Sequence, residues 1–160
     1  MSETEVSRSF SISYNREKFP LEYGPDSGLW KELFKAHGQE ARGRDMKLNW
    51  SRYYQIEHEG RLIWIVARDE NTLLPIGYSC HWSYVDMHFS DHVGADDLWY
   101  VIPAARGLGV GTRLKTTGLD ALRAAGAIRT YDMIRAGSSA YNALDSLGYK
   151  MWGHRFVKEL

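Results

Sequence analysis

Arg106-Gly107-Leu108-Gly109-Val110-Gly111-Thr112, read RGLGVGT, lies between an apolar run ending in proline, LWYVIP, and a stretch of helical periodicity, TRLKTTGLDALRAAG. A strand that turns sharply into a helix leaves backbone N–H groups open at the positive end of the helix dipole, a ready site for phosphate. Glycines at alternate positions let such a group touch the backbone, although a tight turn with close helix packing would use them too.

Two other phosphate-binding patterns fit less well. G-x-G-x-x-G counted from Gly107 needs glycine where Thr112 stands, and counted from Gly109 needs it where Leu114 stands. In favour of that pattern, Asp132 lies about 20 residues on, where a ribose-binding acid would sit. No Gly-Lys-Ser/Thr follows the glycines, so the P-loop pattern fails as well.

The apolar run Asp97–Ile102 reads as the strand feeding this turn. Val110–Ala125 reads as the helix leaving it, with Val110, Leu114, Gly118, Ala121, Leu122 and Ala125 on one face and Gly126 as stop. AIRTYDMI follows as a strand, completing one β-α-β crossover. Ser138 then caps a short helix with Tyr141, Leu144 and Leu147 inward, closing at Leu147-Gly148-Tyr149, and KMWGHRFVKEL reads as a last strand interrupted at Gly153.

Upstream, Phe10, Ile12 and Tyr14 alternate with polar residues as in a half-buried strand. DSGLWKELFKAHG reads as a helix capped by Asp26 or Ser27 and stopped by Gly38, and LNWSRYYQIEHEG as a second, capped by Asn49 and ended by Gly60. The charged GQEARGRDMK between them reads as a mobile connection. Arg61–Arg68 is apolar on both faces, as in a central strand, and IGYSCHWSYVDMHF reads as its long antiparallel partner. The expected class is α+β, or mixed α/β: a central sheet, antiparallel strands first, one late crossover, and helices over the sheet. Residues 1–8 read as a flexible tail and 9–160 as a single domain.

A chain of 160 residues, 44% hydrophobic and 25% charged, suits one soluble globular core. No apolar run approaches the ~20 residues of a membrane-spanning helix. MSETEVSR lacks the basic start and apolar core of a signal peptide, and the lone Cys80 has no partner for a disulfide, so a cytoplasmic location is expected. Charge is uneven: residues 1–103 carry 11 Lys/Arg against 16 Asp/Glu, and residues 104–160 carry 9 against 4. A basic half around the glycine turn points to a phosphate-bearing ligand, while the lack of a dense Lys/Arg stripe argues against direct nucleic-acid binding.

The run Val101-Ile102-Pro103-Ala104-Ala105-Arg106-Gly107-Leu108-Gly109-Val110-Gly111 resembles the acyl-CoA-binding signature R/Q-x-x-G-x-G/A of the GNAT superfamily of N-acetyltransferases. The element order is similar to that fold over nearly the whole chain, and SLGYKMW resembles the family's L-G-F motif. The ending LGYKMWGHRFVKEL resembles short phage-encoded GNAT proteins, which would place the protein in a host cytoplasm. The resemblance implies a twisted sheet with two splayed strands, helices on both faces, and acetyl-CoA as cofactor. The N–H groups of Leu108, Gly109, Val110, Gly111 and Thr112, in the loop opened by Gly107, would bind the CoA pyrophosphate, with Arg106 and Arg113 adding charge. The pantetheine would run beside Tyr100, Val101 and Ile102, between that strand and Ile128–Ile134.

The family transfers acetyl directly from CoA to an amine, and an amine of pKa ~10.4 at pH 7 is about 4.6 kcal/mol from its neutral form. A base must take that proton. The resemblance makes Asp97, with Asp96 beside it, the first candidate, and His88, at the end of the antiparallel partner, the second. His88-Phe89-Ser90-Asp91-His92 has the look of H-x-x-D-H but stands on strand-like sequence, so no metal is expected. The family's usual tyrosine, the acid for the departing thiolate, falls at Leu144; Tyr141, one turn earlier, is the substitute. Leu144 also leaves open a second implication, a CoA-binding module with weak or no turnover. Cys80, in an apolar-aromatic strand, reads as inert filling.

Asp86, Asp91, Asp96 and Asp97 together with Trp82, Tyr84 and Trp99 suggest a cationic acceptor amine, such as a polyamine, a protein lysine or an N-terminus. Few residues follow Gly148, leaving little room for the two closing strands many GNAT proteins carry. The acceptor site would then be incomplete, or completed in a homodimer.

Overall fold

A computed structural model describes residues 10–134 and 138–151. The tail at residues 1–8 and nearly all of the closing strand expected over residues 150–160 lie outside the described residues. The elements run β1 (Ile12–Glu17), α1 (Ser27–Arg42), α2 (Trp50–His58), β2 (Leu62–Asp69), β3 (Pro75–Val85), β4 (His92–Val101), α3 (Val110–Ala124), β5 (Arg129–Tyr131) and α4 (Ser139–Ser146). One five-stranded sheet has the order β1-β2-β3-β4-β5. Neighbours are antiparallel except β4 and β5, which are parallel. This is the mixed class expected from the sequence.

The core lies on both faces of β2, as its continuous apolar run requires. Leu62, Trp64 and Val66 pack with Trp30, Phe34 and Ile56 of α1 and α2 and with Tyr78 and Tyr100 of the sheet. Ile63, Ile65 and Ala67 pack with Val110, Leu114 and Leu122 of α3. Cys80 is fully buried, and burial drives its thiol pKa well up, so it is filling.

Two glycines act by packing. α1 does not stop at Gly38 but continues to Arg42 and ends at Gly43, whose left-handed φ of 66° carries the C-cap. A Cβ at Gly38 would lie 2.6 Å from both the Arg44 carbonyl and the Met46 amide. The connection between α1 and α2, expected to be mobile, is therefore folded back onto α1 through a residue with no side chain. Likewise, a Cβ at Gly118 of α3 would lie 2.0 Å from Nε2 of His81. Its absence lets α3 settle on β3.

Three strand limits differ from expectation. β4 begins at His92 rather than Asp97, β3 ends at Val85, and β5 pairs over three residues only. The Asp96-Asp97 pair breaks the apolar pattern and so resembles a strand boundary. Partners from three other elements make those acids tolerable inside the sheet.

Gly118→Ala should cost ~3 kcal/mol by forcing α3 off His81. Gly28→Ala, in the first turn of α1 with nothing within 4 Å of the new methyl, should instead gain about 0.5 kcal/mol. Urea denaturation of both variants reads the contrast.

Candidate active site

The sheet opens at one residue. His81 pairs with Asp96 and Cys80 with Leu98, which leaves Asp97 as an unpaired bulge in β4. The parallel pairing of β4 with β5 covers Val93↔Arg129 to Ala95↔Tyr131 and stops just before that bulge. Beyond it the two strands part, with Leu98 on one side of the gap and Met133 on the other.

A buried ionic cluster stands at the fork. Lys115 of α3, its side chain 1% exposed, lies 2.9 Å from Asp96 Oδ2 and also pairs with Asp132, just past β5. Asp96 Oδ1 pairs with His81 Nδ1, and the Tyr149 hydroxyl donates to Asp96 Oδ2 at 2.9 Å. Nε2 of His81 lies 2.9 Å from the Ser79 hydroxyl, and the Lys115 ammonium sits 4.9 Å from the centre of the Trp99 ring. Burial pushes the Asp96 carboxyl up, but His81 and Lys115 outweigh it and hold the group well below its usual range. Burial raises Asp132 despite Lys115, and the charge of Asp96 adds to the rise. Two carboxylates thus share one ammonium, and Asp96 holds the negative charge more firmly. Asp132, which would have been the ribose-binding acid of a dinucleotide fold, is committed to this cluster.

The bulge turns Asp97 into a cleft of about 1230 Å³ lined by Tyr53, Trp82, Leu98, Met133 and the folded-back connection. The Tyr53 hydroxyl donates to Asp97 Oδ2. Burial first, then the charge of Asp97, pushes the Tyr53 hydroxyl far up, so it stays a donor. His37 lines the same cleft, stacked on Tyr100 at 5.0 Å with Nδ1 2.8 Å from the Tyr78 hydroxyl. Burial lowers its pKa to about 4, against a smaller pull from Glu40.

At the far end of β4 the glycine turn separates into distinct roles. Gly107 and Gly109 have φ of 78° and 76° and nothing within 4 Å of where a Cβ would stand. They supply backbone conformation and open space. Gly111 has no positive φ but lies under Trp99, whose Nε1 donates to its carbonyl at 3.1 Å. Gly109 is the N-cap of α3 and no side chain caps that end, so the first N–H groups of α3, those of Val110, Gly111 and Thr112, face the space over the turn. An anion with the size and charge of a pyrophosphate fits this cradle on conformation, space and dipole together.

The side chains named from sequence divide. Tyr100 is buried, and Ile102 bonds through its N–H to the Ile76 carbonyl at 3.0 Å. Arg106 donates to the Val101 carbonyl at 3.0 Å and to Glu40 at 2.5 Å, so it bridges the turn to α1. Arg113 acts on Tyr14 of β1, whose hydroxyl burial pushes up against a smaller opposing pull from that guanidinium. Leu108 is exposed on the turn.

Asp97 lies on β4, the strand that leads to the glycine turn, whereas His88 is exposed in the β3–β4 turn, where Asp86 accepts from its N–H at 2.9 Å. The five residue steps from His92 to Asp97 alone span roughly 17 Å at ~3.3 Å each, and His88 does not line the cleft. Tyr141 is 42% exposed while Leu144 is buried; of the two, it is Leu144 that packs inward.

The acids expected to attract a cationic acceptor are also dispersed. Asp86 holds the hairpin turn, Asp91 pairs with Arg129 at 2.7 Å, and Asp96 is in the buried cluster. Only Asp97 of the four lines the cleft. Tyr53, His37, Lys115 and Tyr149 were missed as site residues. Each reads as a core or surface position in its own helix or loop, and only the alignment of Lys115 with the buried face of α3 (Leu114, Gly118) hints at an interior charge.

The sequence pattern of the acetyltransferase (GNAT) family matches residues 28–149. No curated protein matches the chain. Among solved structures, glucosamine-6-phosphate N-acetyltransferase from Arabidopsis thaliana is similar with a TM-score of 0.70 at 11% identity, over 93% of this chain and 98% of that one. AAC(6')-Iy in complex with the bisubstrate analog CoA-S-monomethyl-acetylneamine aligns with a TM-score of 0.70 at 14% identity, over 94% and 98%. Ribosomal-protein-alanine N-acetyltransferase from Brucella melitensis biovar Abortus 2308 aligns with a TM-score of 0.67 at 12% identity, over 96% and 100%. At such identities the likeness is one of fold.

Lys115→Met would leave two buried carboxylates without their cation and should cost ~3–5 kcal/mol in urea denaturation. His37 gives a pH signature. Its folded pKa of about 4 lies below the ~6.5 of an unfolded chain, so the unfolded state binds the extra proton between those values. The stability His37 contributes is therefore complete above pH ~6.5 and falls away toward pH ~4, by about 3 kcal/mol at most. His37→Gln should flatten that part of the stability profile relative to the parent protein.

Proposed function

Because the chain belongs to the acetyltransferase (GNAT) family, we propose that it is an N-acetyltransferase that moves an acetyl group from acetyl-CoA directly to a primary amine held in the Asp97 cleft. The observation that carries this reading is the opening of the sheet at the Asp97 bulge, which turns Asp97 into the cleft on the same strand that leads to the uncapped N-terminus of α3. When bound, the cofactor supplies an activated acetyl thioester. Every other element of the reaction is assigned to this chain.

The N–H groups of Leu108 to Thr112 would hold the pyrophosphate at the α3 N-terminus, where the helix dipole favours it. Arg106, already tied to Glu40 by an exposed pair, can turn to a phosphate at little cost, since such pairs contribute little. Backbone groups of Tyr100, Val101 and Ile102, which follow the last β4–β5 pair, would align the pantetheine arm. Asp97 is the proposed base. Tyr53 occupies Oδ2, so Oδ1, which accepts no hydrogen bond among the described residues, is the oxygen that would meet an incoming ammonium and take its proton. Leu98, Trp82 and Met133 would shield that exchange from water.

A departing thiol with pKa near 8.5 needs an acid far less than an alkoxide would. This suits a site in which Leu144 is buried and the Tyr149 hydroxyl is tied to Asp96. That same shortage of a free tyrosine favours the second reading, a CoA-binding module without turnover. The solved neighbours include a glucosamine-6-phosphate N-acetyltransferase and a ribosomal-protein-alanine N-acetyltransferase, so one fold serves acceptors of different chemistry.

Asp97→Asn should lower turnover by about 10²–10⁴-fold with acetyl-CoA affinity unchanged, and rising pH should recover part of the loss by supplying neutral amine. Thiol release with a panel of amines, beside calorimetry for CoA, measures both; tight CoA binding without release on any amine would select the second reading. Gly109→Glu should abolish CoA binding by placing a carboxylate, and a side chain at unfavourable φ, over the anion cradle. Unchanged affinity in a folded variant would remove the basis of the assignment.

A further inference from the structure

The charge around the cleft does not match the charge of the region that forms it. Residues 1–103 carry an excess of acids, yet Arg42, Arg44, Lys47 and Arg52 all line the cleft against two carboxylates, Asp45 and Asp97. Asp45 is occupied by the Gln39 amide at 2.7 Å and Asp97 by Tyr53. Five arginines elsewhere do find acids: Arg61, Arg68, Arg106, Arg123 and Arg129 each pair with a carboxylate. Among the described residues Arg42, Arg44 and Lys47 have no ion-pair or hydrogen-bond partner for their side chains, and Arg52 donates only to the neutral Gln55 at 2.9 Å.

The backbone that carries these cations is also held in place. Arg42 stands on the last turn of α1, and Arg44 and Lys47 flank Met46 in the connection that packs onto Gly38 at a distance that excludes a methyl group. They line the same concave space as Asp97, together with Tyr53, Trp82, Leu98 and Met46. A ligand that satisfies the cleft therefore presents an ammonium to Asp97, an apolar body to those walls, and an anion to the connection. A polyamine would satisfy one carboxylate and be repelled by the cations.

We infer that the acceptor amine carries an anionic group, a carboxylate or a phosphate, bound by Arg42, Arg44 and Lys47. This rests on the cleft being the acceptor site of the proposed reaction. The bidentate geometry of arginine suits both anions, and the anion would set the distance from which the amine reaches Asp97.

Four primary amines of one size test it: para-(aminomethyl)benzoate, para-(aminomethyl)phenyl phosphate, para-methylbenzylamine and para-xylylenediamine. Their binding is measured by calorimetry on the full chain, with and without saturating CoA, at low and high ionic strength. At least one of the two anionic probes should bind about tenfold or more tighter than the neutral and cationic ones, and salt should erode that advantage. Whichever anion binds better identifies the source. Arg42→Gln/Arg44→Gln should remove the preference while leaving CoA affinity and the binding of para-methylbenzylamine unchanged. Equal or tighter binding of the diamine, or of the neutral probe, overturns the inference. So does a double variant that loses CoA affinity, because the cations would then serve the cofactor. Failure of the protein to bind CoA at all would count against the acetyltransferase reading, while the probe comparison without CoA would still report the charge preference of the cleft.

Discussion

One buried ammonium governs the geometry of this protein. Lys115 reaches from α3 to Asp96 on β4 and to Asp132 beyond β5, so a single cation ties the helix that carries the glycine turn to both strands that part beside it. Removing Lys115 would leave two carboxylates without their cation in a buried site, and that cost keeps the three elements in one arrangement. His81, under Gly118, adds β3 to the same cluster. The fork in the sheet is thereby anchored on four sides where ladder hydrogen bonds end.

The bulge makes two adjacent aspartates do different things. Successive residues in a strand point to opposite faces, and the extra residue at Asp97 changes the local direction of the chain. Asp96 is sent into the interior toward Lys115 and His81, and Asp97 into the cleft beside Tyr53. The first holds the fork together and the second lines its mouth. A pair of like charges that looks redundant in sequence is divided by the sheet into a structural and a solvent-facing group.

The electrostatics of the molecule follow a similar division. The open N-terminus of α3 contributes partial positive charge through backbone dipoles, whereas the folded-back connection contributes it through arginine and lysine side chains. The Asp97 carboxylate shares the cleft with those side-chain cations. Such unlike potentials constrain which groups a ligand can present to the cleft.

Local chemistry was enough to read the main architecture from sequence. The two-sided apolar run Arg61–Arg68 marked the central strand, Asn49 the start of α2, whose side chain accepts from the Arg52 N–H, and RGLGVGT the strand-to-helix turn. Each of these signals depends on near neighbours in the chain. The role of each glycine was not readable, because a missing side chain serves a positive φ at Gly43, Gly107 and Gly109 and a close contact at Gly38, Gly111 and Gly118. Nor was the true start of β4, since Asp96 is acceptable in a strand only once Lys115, nineteen residues later, stands beside it. The sequence by itself determined which segments form strands and helices and where β4 turns through glycines into α3. The tertiary structure decided which charges are buried together, which acids face the cleft and which cations are left without partners, because those properties are set by distances between residues far apart along the chain.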